Sequence, residues 1–197
     1  EELIVNDLEE YSRLVNTCYL SNSGEVDGLE LERHYRRLLR YMETHESPGF
    51  ITELYAPRNP ERITAEDRVF YTRRNALYLD TARQTINLLP EEVRPYFIAP
   101  LLAEASIHAN TAGVFKGFYK DKQGVGKFGG SGGNALSRIL GDISLQFPVF
   151  SRFDCRYSIH CRDANELAEE LPEMDVVYLD PPYNQHPYGS NLSLIHI

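Results

Sequence analysis

The stretch VVYLDPPY, near the end of the sequence, constrains the fold more than any other segment. Residues 176–179 form a continuous apolar run that ends in Asp180, a pattern typical of a strand buried on both faces in a parallel sheet. Pro181 and Pro182 cannot donate hydrogen bonds to a neighbouring strand, so the strand is expected to stop there. Ligands bind at the carboxyl ends of strands in open α/β sheets. The pattern therefore predicts a binding site that includes Asp180 and Tyr183.

Two other segments show an apolar strand followed by an acid. LIVND ends at Asp7, and YSIHCRD ends at Asp163 and precedes ANELAEEL, which is predicted to be a short helix. The order strand, helix, strand at the end of the chain is that of a βαβ unit, in which a helix joins two parallel strands. We therefore predict an α/β fold in which residues 1–28 and 151–197 contribute to one parallel sheet.

The middle of the chain, residues 29–150, is predicted to be a mainly helical insertion. An amphipathic helix with a basic outer face is expected in GLELERHYRRLLRYMETH, where apolar residues recur at helical spacing. A second helix is expected from the N-cap Thr72 to Pro90, and a third, apolar on nearly all sides, in YFIAPLLAEASIHAN, where Pro100 would introduce a kink. Residues 47–67, rich in proline, are predicted to be irregular.

Charge is unevenly distributed along the chain. The net charge is −9, from 20 basic and 29 acidic residues. Taken over the whole protein, this negative charge disfavours binding to nucleic acid. Residues 114–138 nevertheless carry five basic side chains against one acid, a local balance of +4, interleaved with aromatic residues. This composition suits contact with DNA phosphates, and a solvated flexible loop is the alternative. The predicted DNA-binding residues are Lys116, Lys120, Lys122, Lys127 and Arg138.

The overall amino-acid composition indicates which class of protein this is. Hydrophobic residues at 42% and charged residues at 25% are typical of a globular protein, and the length suits one ordinary domain. No apolar run approaches a membrane span, and three cysteines form no disulfide framework, so a cytoplasmic protein without a membrane partner is predicted. Cys155, His160 and Cys161 have no evident fourth ligand nearby, and the last two would point to opposite faces of a strand, so no metal site is predicted.

An aspartate followed by two prolines and a tyrosine suits methylation of an exocyclic amine. The amine of adenine is a poor nucleophile because its lone pair is delocalised into the ring. The carboxylate of Asp180 and the carbonyl of Pro181 can accept its two N–H bonds, while the ring of Tyr183 stacks on the base. Such a reaction depends on positioning and electrostatics. The alternative is a proline turn with a solvated aspartate and a surface tyrosine.

The sequence resembles the Dam-like, alpha-type adenine-N6 DNA methyltransferases. YLDPPYNQHPYGSN is similar to motif IV of that family, in which DPPY is followed by asparagine and further aromatic residues. LIVND resembles the family's second cofactor strand, and HCRDANEL resembles the segment whose aspartate faces the cofactor adenine. GFITELYAP and IHANTAGVFKGFYK are similar to parts of the inserted target-recognition region.

The resemblance implies part of a Rossmann-like methyltransferase core that uses S-adenosyl-L-methionine, with a helical target-recognition insertion. It assigns the catalytic motif to Asp180, Pro181, Pro182 and Tyr183, with Tyr183 stacking on a flipped adenine. It implies cofactor contacts for Asp180, for Asp163 at the adenine amine, and for Asp7 at the ribose or amino-acid end. For Asp7 and Asp163 the alternative is capping of the helix that follows.

The implied function is methylation of adenine N6 in double-stranded DNA at a specific site, with a cognate restriction endonuclease as a further partner. Cytosine-N4 methylation and a non-catalytic DNA-binding remnant are the alternatives. The family's first cofactor turn is expected before LIVND, and further strands are expected after Asn191. The sequence is therefore expected to be truncated at both ends and inactive on its own.

Overall fold

The computed structural model describes residues 2–111, 117–130, 132–133 and 135–180. Within these ranges the chain forms a mixed α/β fold with a small parallel sheet. The strands are β1 (Glu2–Asn6) and β2 (Arg156–His160). The helices are α1 (Glu10–Leu20), α2 (Gly28–Met42), α3 (Phe50–Leu54), α4 (Arg73–Ile86), α5 (Pro95–His108), α6 (Leu136–Leu140) and α7 (Ala164–Ala168).

The two strands come from opposite ends of the described chain. They pair in parallel, with Glu2 opposite Arg156 and Asn6 opposite His160. The predicted parallel sheet that joins the first segment to the last is therefore confirmed for LIVND and YSIHCRD. Between the two strands, the chain passes through helices α1 to α6.

The three long helices predicted in the middle segment are confirmed, as is the predicted N-cap Thr72. The Asp27 carboxylate accepts from the N–H of Glu30 at 2.9 Å and caps α2. The Thr72 hydroxyl accepts from the N–H of Asn75 at 3.1 Å and caps α4. Helix α5 continues through Pro100 and is buried on nearly all sides, as its apolar sequence predicts.

One hydrophobic core holds the helices together. Buried side chains of α1, α2, α4 and α5 belong to the same cluster, among them Leu14, Leu31, Leu79 and Phe97. Leu14 comes from the segment assigned to the methyltransferase core, and the other three come from the predicted insertion. The boundaries at residues 28 and 150 therefore remain predictions, since packing is continuous across the first of them.

The prediction that residues 47–67 are wholly irregular is wrong, because α3 forms within them. The buried carboxylate of Asp80, on α4, binds the start of this helix. Its Oδ2 accepts from the N–H groups of Gly49 at 3.0 Å and Thr52 at 2.7 Å and from the Thr52 hydroxyl at 2.5 Å. Its Oδ1 accepts from the N–H of Ile51 at 3.1 Å. A negative charge is favoured there because the first N–H groups of a helix lack partners within it.

The predicted buried strand at residues 175–180 is also wrong. This segment forms no strand, and Val176, Tyr178 and Leu179 are 80–85% exposed. A strand is stable only where its backbone groups find partners on a neighbouring strand. In the part of the chain that is described, the sheet consists of β1 and β2, and residues 175–180 pair with neither. The predicted βαβ unit is therefore present only as β2 followed by α7.

Replacing Asp80 with alanine should lower the free energy of unfolding by about 2–4 kcal/mol, because four donors around α3 lose a buried charged acceptor. Chemical denaturation measures the change. Asp67 provides a matched control nearer the surface, where its carboxylate accepts from Arg58 N–H at 3.1 Å and from the N–H and hydroxyl of Thr64, each at 2.8 Å. Asp67→Ala should cost about 1 kcal/mol. Equal losses for the two variants would contradict the role given to burial.

Candidate active site and DNA-contact surface

The carboxyl ends of β1 and β2 meet at one edge of the sheet. The register pairs Asn6 with His160, and the N–H of Asp7 donates to the carbonyl of His160 at 3.3 Å. Asp7 Oδ1 accepts from the N–H of Glu9 at 3.0 Å, which turns the chain toward α1. The structure therefore places Asp7, half-buried, beside the end of the strand that leads to Asp163.

Asp163 follows this same edge and caps α7. Its Oδ1 accepts from the N–H groups of Asn165 at 2.8 Å and Glu166 at 3.4 Å. These two backbone bonds lower the pKa of the Asp163 carboxyl, so the group is ionised at neutral pH. The helix-capping alternative is thus what the structure shows, and the side chain is exposed. Contact with a cofactor stays a prediction for both Asp7 and Asp163.

Asn6 is a site residue that the sequence analysis missed. Its side-chain amide binds the backbone of Arg162 in both directions: Nδ2 donates to the carbonyl at 3.0 Å, and Oδ1 accepts from the N–H at 3.1 Å. The Arg162 guanidinium in turn binds Glu170 through two bonds of 2.7 Å. These contacts hold the turn between β2 and α7, and with it Asp163. No local signal could have identified Asn6, because its partner lies at the other end of the chain.

The catalytic motif is only partly within the described residues. Asp180 is exposed and ends a segment that forms no strand with β1 or β2. Pro181, Pro182 and Tyr183 lie outside the described residues. Their assigned roles stay predictions.

The predicted DNA-binding segment contains every lysine of the sequence, within residues 116–127. Lys116 lies outside the described residues. The other three, Lys120, Lys122 and Lys127, line one open groove together with one acid, Asp121, with Tyr119 and with glycines that follow. Three positive charges on a single groove suit a polyanion, because each can meet a phosphate along the same backbone.

These lysines are carried by a hairpin, residues 118–127, which we call the lysine hairpin. Lys120 pairs with Gly126, and the N–H of Lys127 donates to the carbonyl of Tyr119 at 2.9 Å. At its tip, Asp121 Oδ1 accepts from the N–H groups two and four residues on, each at 2.9 Å. Gly124 has a φ of +82°, a conformation that favours glycine and is common in hairpin loops. The segment is thus held by its own hydrogen bonds, unlike the solvated flexible loop that was the alternative.

A single buried side chain, Asn110, ties the lysine hairpin to the helical core. Its Nδ2 donates to the carbonyls of Val69 at 2.6 Å and Lys127 at 2.8 Å, and its Oδ1 accepts from the N–H of Gly129 at 2.9 Å. The side chain is fully buried. All three of these backbone groups would lose a partner without it, and buried polar groups that lose a partner destabilise the fold.

The hairpin also packs against the core through close contacts. The ring of Phe118 meets that of Phe70 edge to face at 5.1 Å between centroids, and the Lys120 ammonium lies 5.1 Å from the centre of the Phe118 ring. A Cβ at Gly126 would lie 2.4 Å from Val69 Cγ2, so only glycine fits there without a shift. These contacts orient Lys120 relative to the core.

Arg138 takes a different position from the lysines. Its guanidinium donates to the carbonyls of Ile107 and Ala109 at the end of α5, the second at 3.2 Å. A positive charge is favoured at that end of a helix, where carbonyls lack partners. The structure therefore gives Arg138 a capping contact, and its DNA contact stays a prediction.

Other kinds of site find no support within the described residues. There, no group of three or more histidine, cysteine, aspartate or glutamate side chains is arranged to hold a metal ion. None of the helices described is long and apolar enough to cross a membrane. The three cysteines form no disulfide, and burial raises the pKa of Cys18 to about 12, so it stays a neutral thiol.

Comparison with known protein families shows which family the chain belongs to. Residues 1–196 match the family described as D12 class N6 adenine-specific DNA methyltransferase. The chain belongs to this family. The resemblance to adenine-N6 DNA methyltransferases, inferred from DPPY and the flanking segments, is therefore confirmed.

Individual relatives agree with this membership. The chain is 27% identical over 202 residues to the Type II methyltransferase M.NlaIII of Neisseria lactamica, covering 100% of the chain and 53% of the relative. It is 29% identical over 203 residues to the Type II methyltransferase M.CviAII of Paramecium bursaria Chlorella virus 1, covering 99% of the chain and 53% of the relative. The chain thus spans about half the length of these curated relatives. No solved structure matches it significantly.

Replacing Asn110 with alanine should loosen the lysine hairpin of this D12 methyltransferase. Loss of three buried hydrogen bonds should lower the local opening free energy by about 2 kcal/mol, which raises amide exchange about 30-fold. Hydrogen exchange at the N–H groups of Asp121 and Lys127, both bonded within the hairpin, measures the effect.

Asn75 provides the matched control for that experiment. It is also buried, and its amide bridges the carbonyl of Gly141 at 2.8 Å and the N–H of Ile143 at 3.2 Å, away from the hairpin. Asn75→Ala should lower the global free energy of unfolding. It should not speed exchange at the hairpin amides beyond what that global loss accounts for. If both variants speed hairpin exchange equally, Asn110 is not its specific anchor.

Proposed function

We propose that the full-length protein transfers a methyl group to N6 of an adenine in duplex DNA, after the base has been flipped out of the helix. The observation that carries the proposal is DPPY, from Asp180 to Tyr183, in a chain that matches the D12 adenine methyltransferases over residues 1–196. Flipping is required because the amine of a paired adenine is not accessible to an active site.

The proposed cofactor is S-adenosyl-L-methionine, and the edge of the sheet suits it. When bound, it supplies an electrophilic methyl group on a sulfonium. Asp7 and Asp163 follow two adjacent parallel strands at the edge where ligands bind in such sheets, and neither side chain is buried. Asp163, ionised, can accept a hydrogen bond from the cofactor's adenine amine. Asp7 can accept from its ribose or amino-acid end.

In the proposed reaction, DPPY prepares the target amine. The Asp180 carboxylate and the Pro181 carbonyl accept its two N–H bonds, which draws the nitrogen lone pair out of the ring and toward the methyl group. Pro182 keeps this turn rigid, and Tyr183 stacks on the flipped base. As the N–C bond forms, the bond between the methyl carbon and the sulfonium sulfur would break and leave a neutral thioether. The amine would lose one proton, for which the Asp180 carboxylate is the proposed acceptor. The proposal requires residues 176–183 to approach the edge that carries Asp7 and Asp163.

The lysine hairpin is the proposed DNA-backbone contact. Its lysines line a single groove, and the aromatic rings of Phe118 and Tyr119 lie among them. Arg138, bound to the end of α5, would add to this contact at its margin. Because the positive charge of this segment contrasts with the net charge of −9, DNA should approach from this side.

The biological setting is proposed from the relatives. Three of them are named Type II methyltransferases and two are named modification methylases, and these names suit an enzyme of a restriction-modification system. A cognate restriction endonuclease is therefore the proposed second partner, and the cytoplasm the proposed compartment.

Replacing Asp180 with alanine in the full-length protein should lower methyl transfer about 100-fold or more, because the target amine loses a preorganised charged acceptor. Transfer of tritiated methyl groups to DNA measures it, with digestion to nucleosides to show N6-methyladenine. DNA affinity should be nearly unchanged.

Asp175, an exposed acid of the same segment, is the matched control. Asp175→Ala should retain most of the activity. Residual activity of Asp180→Ala above about 10% of wild type would remove Asp180 from the acceptor role. If the tritiated methyl group were found on cytosine and not on adenine after digestion, the proposed substrate would be wrong.

Replacing Lys120, Lys122 and Lys127 together with glutamine should weaken DNA binding for every sequence. If each meets a phosphate, the slope of log affinity against log salt should shrink by about 2–3 units. Fluorescence anisotropy of labelled duplex across a salt series measures the slope. The same three positions changed to arginine keep the charge and should keep the slope. A glutamine variant with the wild-type slope would show that the lysines are merely solvated.

A further inference from the structure

Helix α2 carries a row of arginines for which the proposed methyl transfer has no use. Four of them fall within eight residues, and we call them the arginine face: Arg33, Arg36, Arg37 and Arg40. With 3.6 residues per turn, these positions span an arc of roughly 100° on the helix. Both acids of α2, Glu30 and Glu32, fall outside that arc.

The orientation of α2 directs this face to solvent. On the opposite side, Leu31 and Leu38 are buried in the core, and the Tyr35 hydroxyl donates to the carbonyl of Leu145 at 2.7 Å. All four arginines are exposed. The helix therefore presents them on a fixed support.

Most of this positive charge is not neutralised by the described part of the protein. Arg36 pairs with Glu32 at 2.6 Å. Among the described residues, no carboxylate forms an ion pair with Arg33, Arg37 or Arg40. Elsewhere, Arg13, Arg74, Arg156 and Arg162 each pair with a carboxylate. Other exposed arginines, among them Arg58, Arg62 and Arg152, form no ion pair with a described carboxylate, but they do not share one helix face. In a chain of net charge −9, three cations that share one helix face, without an ion pair to a described carboxylate, form a local concentration of positive charge.

An aromatic pair borders the arginine face. The rings of Tyr41 and His45 stack in parallel, with 4.0 Å between centroids, and Tyr41 lies one turn beyond Arg37. Both residues are exposed. Basic side chains beside exposed rings are a common composition of surfaces that bind nucleic acid.

We propose that the arginine face binds the phosphate backbone of duplex DNA, in addition to the contact made by the lysine hairpin. The identity of the ligand rests on the proposed function. Guanidinium groups suit this role because their planar fork can donate two hydrogen bonds to one phosphate and stays charged at any physiological pH. A helix supplies three such groups in a row without the ordering cost of a flexible tail.

The test compares two triple variants of the full-length protein. Arg33, Arg37 and Arg40 are changed to glutamine in one, and the paired arginines Arg13, Arg74 and Arg156 in the other, so both lose three positive charges. Anisotropy with a labelled duplex of about 30 base pairs is measured across a salt series. The arginine-face variant should lower the log–log salt slope by about 2–3 units, and the control by less than about 1. Circular dichroism confirms that both are folded.

Each other outcome bears on the proposal. Equal slopes for the two variants would overturn it, since only net charge would then matter. Salt-sensitive dimers that form without DNA and vanish in the arginine-face variant would also overturn it, because a second copy would be the occupant. If the wild type binds DNA with the expected slopes and transfers no methyl group, the proposed function fails and the arginine face stands.

Discussion

The buried amide of Asn110 is the contact on which the arrangement of the proposed DNA surface depends. It joins the backbone at Val69, just before α4, to the backbone at Lys127 and Gly129, which belong to or follow the lysine hairpin. The hairpin is held as well by the packing of Phe118 on Phe70, by the close approach of Gly126 to Val69 and by the pairing of Phe118 with Thr111. The Asn110 side chain differs from these contacts because its three backbone partners would lose a buried hydrogen bond without it.

Sequence patterns predicted the elements whose causes are local. The apolar stripe of α2, the Thr72 cap of α4 and the apolar length of α5 all act within one or two turns, and each helix was found where it was expected. Helix α3 was missed because the carboxylate that stabilises it comes from Asp80, on another helix. The strand predicted to end at Asp180 failed for a related reason: an apolar run indicates burial, but a strand also needs backbone partners, and residues 175–180 pair with neither β1 nor β2.

In the candidate site, too, residues with local sequence signals could be predicted, and residues whose partners are distant in sequence could not. The aspartates could be identified because each follows an apolar strand, and the structure places Asp7 and Asp163 after two paired strands. Asn6, which fixes the turn before Asp163, could not be found, because an asparagine at a strand end is ordinary until its partner across the sheet is known. The positive charge of the lysine segment could be predicted from its composition alone. The exposure of Arg33, Arg37 and Arg40 on one face of α2, without an ion pair to a described carboxylate, could be seen only in the structure.

The parallel pairing of β1 with β2 has a consequence for how the chain reaches its native state. β1 leaves the ribosome before its partner β2, which follows only after all of α1 to α6. Contacts between residues so far apart in sequence form late, because a long loop must close before they can stabilise anything. The helices, whose contacts are more local, can assemble meanwhile. Until β2 emerges, β1 lacks this parallel partner, and its apolar residues are a segment that a chaperone could protect.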